Sequence, residues 1–124
     1  MTYLDHIGVN VKDLETSISF YKGIFNWEEK TRFDIGEAKI AVFDMGKGLL
    51  EIVQRPGSPG SPPSGNRSHT AIHVDDFAEK VKKLEGMGLE LRKVTLADGA
   101  HIAFFKDPDD HTIEIMEKGL SITD

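Results

Sequence analysis

The chain matches itself. His6-Ile7-Gly8-Val9-Asn10-Val11-Lys12-Asp13-Leu14 aligns with His69-Thr70-Ala71-Ile72-His73-Val74-Asp75-Asp76-Phe77. The same offset carries Gly23 onto Gly86, Gly36 onto Gly99 and Asp44 onto Asp107, and it lays Leu49–Val53 on Thr112–Met116 without a gap. A repeat of this length restricts the fold to two copies of one supersecondary unit, neither able to bury its inner face alone. Between the copies lie Pro56, Pro59, Pro62 and Pro63, four of the five prolines, followed by Ser64-Gly65-Asn66. Such a stretch reads as a long loop. The expectation is one domain, 1–124, built from modules at about 1–54 and 67–120 joined by a loop over 55–66.

Each copy predicts the same element order. Leu4–Val11 alternates and is rich in β-branched residues, which predicts a strand. Asp13 is placed to cap a helix running to about Phe25, with Leu14, Ile18, Tyr21 and Phe25 on one face. Trp27–Phe33, Ala38–Asp44 and Gly48–Gln54 follow as strands. In the second copy Thr70–Val74 is the strand. A helix over about Asp76–Met87, capped by Asp76, comes next, then strands Leu89–Thr95, His101–Phe105 and His111–Glu117. The fold class is therefore α+β, with two tandem βαβββ modules. They are expected to form a curved, partly closed mixed sheet with helices on the outer face.

Composition narrows the function classes. Hydrophobic residues make up 39% and charged residues 29%, a globular balance. No apolar run reaches the roughly 20 residues of a membrane span. A net charge of −6 without a basic patch argues against nucleic acid. The start of the chain lacks the basic and apolar regions of a secretory signal. With no cysteine, disulfides, thiolate metal sites and cysteine nucleophiles are excluded, and a cytoplasmic location is expected.

Strand alternation sorts the polar residues onto one face. Ile7, Val9 and Val11 oppose His6, Gly8 and Asn10. Ile72 and Val74 oppose His69, Ala71 and His73. Leu50 and Ile52 oppose Glu51, as Ile113 and Ile115 oppose Glu114. A carboxylate within such a strand is costly to bury unless paired or bound to metal. A single half-exposed strand would explain Glu51 alone. The repetition at Glu114, with His6 and His69 repeating alongside, favours a functional face.

These residues resemble the vicinal oxygen chelate superfamily, which spans glyoxalase I, bleomycin resistance proteins and extradiol dioxygenases. The likeness rests on Leu4-Asp5-His6-Ile7-Gly8-Val9, on Phe20-Tyr21, and on Asp107-Pro108-Asp109-Asp110-His111-Thr112-Ile113-Glu114. It covers nearly the whole chain. The ligand pattern is most similar to glyoxalase I, in which the positions of His6, Glu51, His69 and Glu114 each hold the metal. The resemblance implies a site between two modules or across a homodimer, and a small-molecule substrate.

Two imidazoles and two carboxylates suit one divalent ion such as Ni, Co, Zn, Mn or Fe, with positions left for two substrate oxygens. A Lewis acid at a carbonyl oxygen favours loss of the adjacent proton. Glu51 or Glu114 is then the base that takes it and returns it to the neighbouring carbon. The expected function is a glyoxalase-I-like lyase or isomerase. Asn10 and Arg55 stand where glutathione-using glyoxalases commonly carry arginine and asparagine, so they are candidate substrate contacts with altered specificity. His73, on the same face as His69, is a third candidate.

The alternatives are a non-catalytic binding or resistance protein, a metal-dependent thiol transferase, and an acyl-CoA epimerase. The transferases and dioxygenases of the superfamily use three protein ligands, so Glu51 discriminates if it binds metal. Arg32, Arg55, Arg67 and Lys106 could receive an anionic substrate, but each is read first as solvated surface charge. Phe104 is read as core or dimer interface.

Overall fold

The computed structural model describes residues 1–120; the last residues of the expected domain, 121–124, lie outside the described residues. The first module runs β1 (His6–Asn10), α1 (Leu14–Phe25), β2 (Glu28–Ile35), β3 (Ala38–Asp44), β4 (Leu49–Gln54). The second runs β5 (His69–His73), α2 (Phe77–Gly86), β6 (Arg92–Thr95), β7 (His101–Lys106), β8 (Thr112–Met116). The α+β class and the βαβββ order are as the repeat predicts. The strands form two separate four-stranded mixed sheets, β1-β4-β3-β2 and β5-β8-β7-β6, each open at both edges. By contacts the chain divides into one compact unit of Met1–Ser64 with Pro108–Asp110, and a second of Gly65–Asp107 with the residues from His111 onward.

In the first unit α1 packs on β3 and β4. Asp13 sits at its N-cap and accepts a hydrogen bond from the Thr16 N–H at 3.0 Å. Asn26 ends it in the left-handed region, φ 56°, where its N–H reaches the Lys22 carbonyl at 2.9 Å. The helix buries Leu14, Ser17, Ile18, Tyr21 and Ile24, the face set by its 3.6-residue period. Opposite them lie Ala41, Phe43, Leu50 and Ile52, all buried. Each such large apolar side chain contributes about 1.5–3 kcal/mol over its exposed state. Asp109 belongs to this unit: it is buried and accepts from the Lys12 N–H at 3.0 Å and the Ser17 hydroxyl at 3.4 Å.

The second unit is packed more thinly. Asp76 occupies the N-cap of α2, but its side chain makes no capping bond, because its ψ of 51° departs from the extended shape that aims a cap. Leu84 is the one fully buried residue of that helix. Ala103, Phe105, Ile113 and Ile115 supply the buried strand face.

The ungapped match of Asp44 to Asp107 does not survive strand pairing. Asp44 pairs with Leu49, whereas Lys106 pairs with Thr112. The turn between β7 and β8 (107–111) is one residue longer than that between β3 and β4 (45–48). The structural counterpart of Asp44 is therefore Lys106. Asp107 has moved into the turn, where its carboxylate accepts from the His111 N–H at 2.9 Å.

Candidate metal centre

The parallel pairing of β1 with β4 sets Gly8 beside Glu51, and that of β5 with β8 sets Ala71 beside Glu114. Residues in register share a face, so each glutamate rises next to the histidine two positions before its small neighbour. In the first module His6 Nε2 lies 3.8 Å from Glu51 Oε2. In the second His69 Nε2 lies 3.1 Å from Glu114 Oε1. The four residues singled out in the sequence thus come together as two His–Glu pairs. Among the described residues no three His, Asp or Glu side chains are placed to hold a metal ion together.

The second ring nitrogen of each histidine is also held. His6 Nδ1–H donates to Asp5 Oδ2 at 2.8 Å, and His69 Nδ1–H donates to the Arg67 carbonyl at 3.2 Å. A carbonyl can only accept, so the His69 proton sits on Nδ1. In the neutral ring, Nε2 then turns a lone pair toward a carboxylate oxygen. Two such electron pairs at this range call for a cation between them, a proton or a metal ion. Orientation of the ring through its far nitrogen is the usual support of a metal-ligating histidine. The His6 ring is held above its ordinary value of 6.5, first by the Asp5 hydrogen bond, against burial, with the charges of Glu51 and Asp5 adding to the rise. The donor set contains nitrogen and oxygen alone, which fits a borderline or hard divalent ion.

The surroundings of the two glutamates differ. The Glu51 side chain is 25% exposed and that of Glu114 is 9% exposed. Glu51 shares its face with an apolar cluster of Ala38, Ile40, Val42 and Val53, with Leu49 against it. A Cβ on Gly8 would stand 3.2 Å from Glu51 Oε1, so the glycine leaves that carboxylate its room. Glu114 pairs across the sheet with Phe104, whose ring meets the His69 ring edge-on at 5.9 Å.

The other candidates are placed as follows. Arg55 Nη1 donates to Asn10 Oδ1 at 2.6 Å, so these two are brought together, both exposed. His73, exposed at the end of β5, faces Asp75 Oδ1 through Nε2 at 3.0 Å. A cavity of about 630 Å³ opens in the second module, reaching His69, Phe104 and Thr112 and bordered by Arg67, Arg92 and Lys106. Arg92 is absent from the sequence reading. Its signal lay in pairing: Arg92 is in register with Phe104, which is in register with Glu114.

Residues 3–115 match the family described as the Glyoxalase/Bleomycin resistance protein/Dioxygenase superfamily. The chain belongs to that superfamily. It is 27% identical over 123 residues to lactoylglutathione lyase GLX1 of Arabidopsis thaliana, covering 92% of this chain but only 44% of that enzyme. It is 28% identical over 119 residues to metallothiol transferase FosB of Staphylococcus epidermidis, covering 93% of this chain and 81% of the transferase. The fold is shared with the fosfomycin resistance protein FosX of Listeria monocytogenes, solved with Mn(II) and sulfate. That likeness has a TM-score of 0.79 at 23% identity and covers 97% of this chain and 95% of that one. No helix among the described residues is long and apolar enough to cross a membrane.

Proposed function

We propose that the two His–Glu pairs, His6 with Glu51 and His69 with Glu114, supply the ligands of a divalent metal ion and that the protein is a glyoxalase-I-like lyase or isomerase. The observation that carries this is the repeated His–Glu pair, with Nε2 of each ring turned to a carboxylate and Nδ1 held by an oxygen acceptor. A bound ion would supply Lewis acidity toward a substrate carbonyl. The chain supplies the rest. One glutamate removes the proton on the carbon beside the carbonyl and returns it to the adjacent carbon. Glu51, a quarter exposed, has more room to swing toward that carbon than the buried Glu114. Asn10 and Arg55, already joined by a hydrogen bond, are proposed substrate contacts, as is His73. A homodimer is part of the proposal; Phe33 and Ile35 expose apolar surface on β2, an edge strand.

Elemental analysis of protein purified without added metal tests the first claim. A divalent ion near one per chain is expected, lost in Glu51→Gln combined with Glu114→Gln. Exchange of the substrate C–H with deuterated solvent, screened over hemithioacetals, tests the second. No ion in the wild type, or no change in the double variant, overturns the reading.

Thiol transfer to a small electrophile is the second reading, supported by the 28% identity to metallothiol transferase FosB over 93% of this chain. A three-donor site needs no Glu51. Metal retained at full affinity in Glu51→Gln would favour transfer over isomerisation.

A further inference from the structure

We propose that the cavity in the second module is the receptor for an oxyanion end of the substrate, a doubly charged phosphate-type group or dicarboxylate, held by Arg67, Arg92 and Lys106. This deepens the function proposed above and rests on it for the word substrate, because the cavity reaches His69. The chain as a whole carries a net charge of −6, yet three cations border this one cavity against a single carboxylate, Glu90. Among the described residues none of the three has a carboxylate within ion-pair distance, although several exposed cations elsewhere do, such as Arg32 and Lys93. Cations gathered in excess of the nearby carboxylate charge repel one another and are stabilised by an anion between them.

The strand pairing explains why they gather. One row across the sheet reads Ala71, Glu114, Phe104, Arg92, and the next reads His69, Thr112, Lys106. Arg92 and Lys106 therefore stand on the face of the His69–Glu114 pair. The Arg92 guanidinium lies 4.5 Å above the Phe104 ring, which fixes its plane and leaves its N–H edge for a bidentate partner. Lys106 Nζ donates to Thr112 Oγ1 at 2.6 Å, which holds the ammonium beside a hydroxyl that has a proton to give. Arg67 is tied in by its own carbonyl, the acceptor of the His69 ring. Three cations less Glu90 leave a net charge that matches a dianion.

Calorimetric titration of the metal-stripped protein with inorganic phosphate, and separately with succinate, tests this at pH 8. Saturable binding of at least one dianion is expected, weakening as salt rises. Arg92→Gln should raise Kd about tenfold, the effect of one charge-assisted contact, and Arg92→Lys should fall between. Glu90→Gln should lower Kd several-fold, a gain that a merely damaged fold does not produce. Which probe binds tells the phosphate type from the dicarboxylate. No saturable binding of either, or Kd unmoved by both Arg92→Gln and Glu90→Gln, overturns the proposal. Binding seen only after metal is restored also overturns it, since the anion then sits on the ion. Binding that persists in a protein unable to take up any divalent ion supports the receptor and removes the metal reading instead.

Discussion

The two modules share a backbone and differ in what they do with it. In the first, α1 buries five residues, whereas Leu84 is the single fully buried residue of α2. The first lines its glutamate face with Ile40, Val42 and Val53; in the second Phe104 stands across from the glutamate where Val42 does in the first, with Arg92 next to it in the row. Asp44 in one is Lys106 in the other. Duplication has kept the His–Glu pair and the strand pairing beneath it. The helix packing and the charge of the surrounding face have been free to diverge. The helix of the first module is the better packed, and the second module holds the cavity that reaches His69.

Variants matched across the repeat sharpen that contrast. Ile52 and Ile115 are corresponding residues, both fully buried. Ile52→Ala and Ile115→Ala should each cost about 2–5 kcal/mol in urea unfolding. A loss confined to one of them would mean that only one module's core supports the fold. Leu84→Ala should strip α2 of hydrogen-exchange protection while α1 keeps its own, since α2 has no second buried anchor.

Smaller effects are expected around the ligands. Gly8→Ala forces the Glu51 carboxylate back by a few tenths of an ångström and should weaken metal binding about tenfold, the usual scale for support residues. Ala71→Gly should leave the affinity unchanged. Equal losses would show that Gly8 is not specifically needed.

The smallest contrast is at the helix caps. Asp13→Ala should lower Tm by a few degrees and Asp76→Ala should not, because only Asp13 makes a capping bond. The Thr16 N–H holds the Asp13 carboxyl below its ordinary 3.8, so its folded value is the lower one. Its contribution is present above about pH 3.8 and is lost as pH falls through the lowered value. The gap between wild type and Asp13→Ala should therefore close in acid. A gap constant down to pH 2 would refute the cap.

The repeat made the element order legible, because helical and strand periods survive divergence. It also brought out Glu51 and Glu114, whose alternation with Leu50, Ile52, Ile113 and Ile115 put them on one face. Less was legible where a single residue changes the partner. The longer turn after Lys106 shifts β7 against β3, so a gapless comparison hid the equivalence of Asp44 with Lys106. Arg92 went unseen because its importance lies in facing Phe104 across strands, which no local pattern encodes. Asp76 has the right side chain for a cap and the wrong backbone angle, a distinction only coordinates make.

The two histidines are steadied by acceptors of different kinds, Asp5 through its side chain and Arg67 through its main-chain carbonyl. This has an evolutionary consequence. A side-chain prop is erased by one substitution, so the first ring can be released in a descendant by changing a single neighbour. A main-chain prop persists whatever side chain stands at position 67. That position is therefore free to vary in charge and size, retuning the cavity it borders without disturbing the ring it supports.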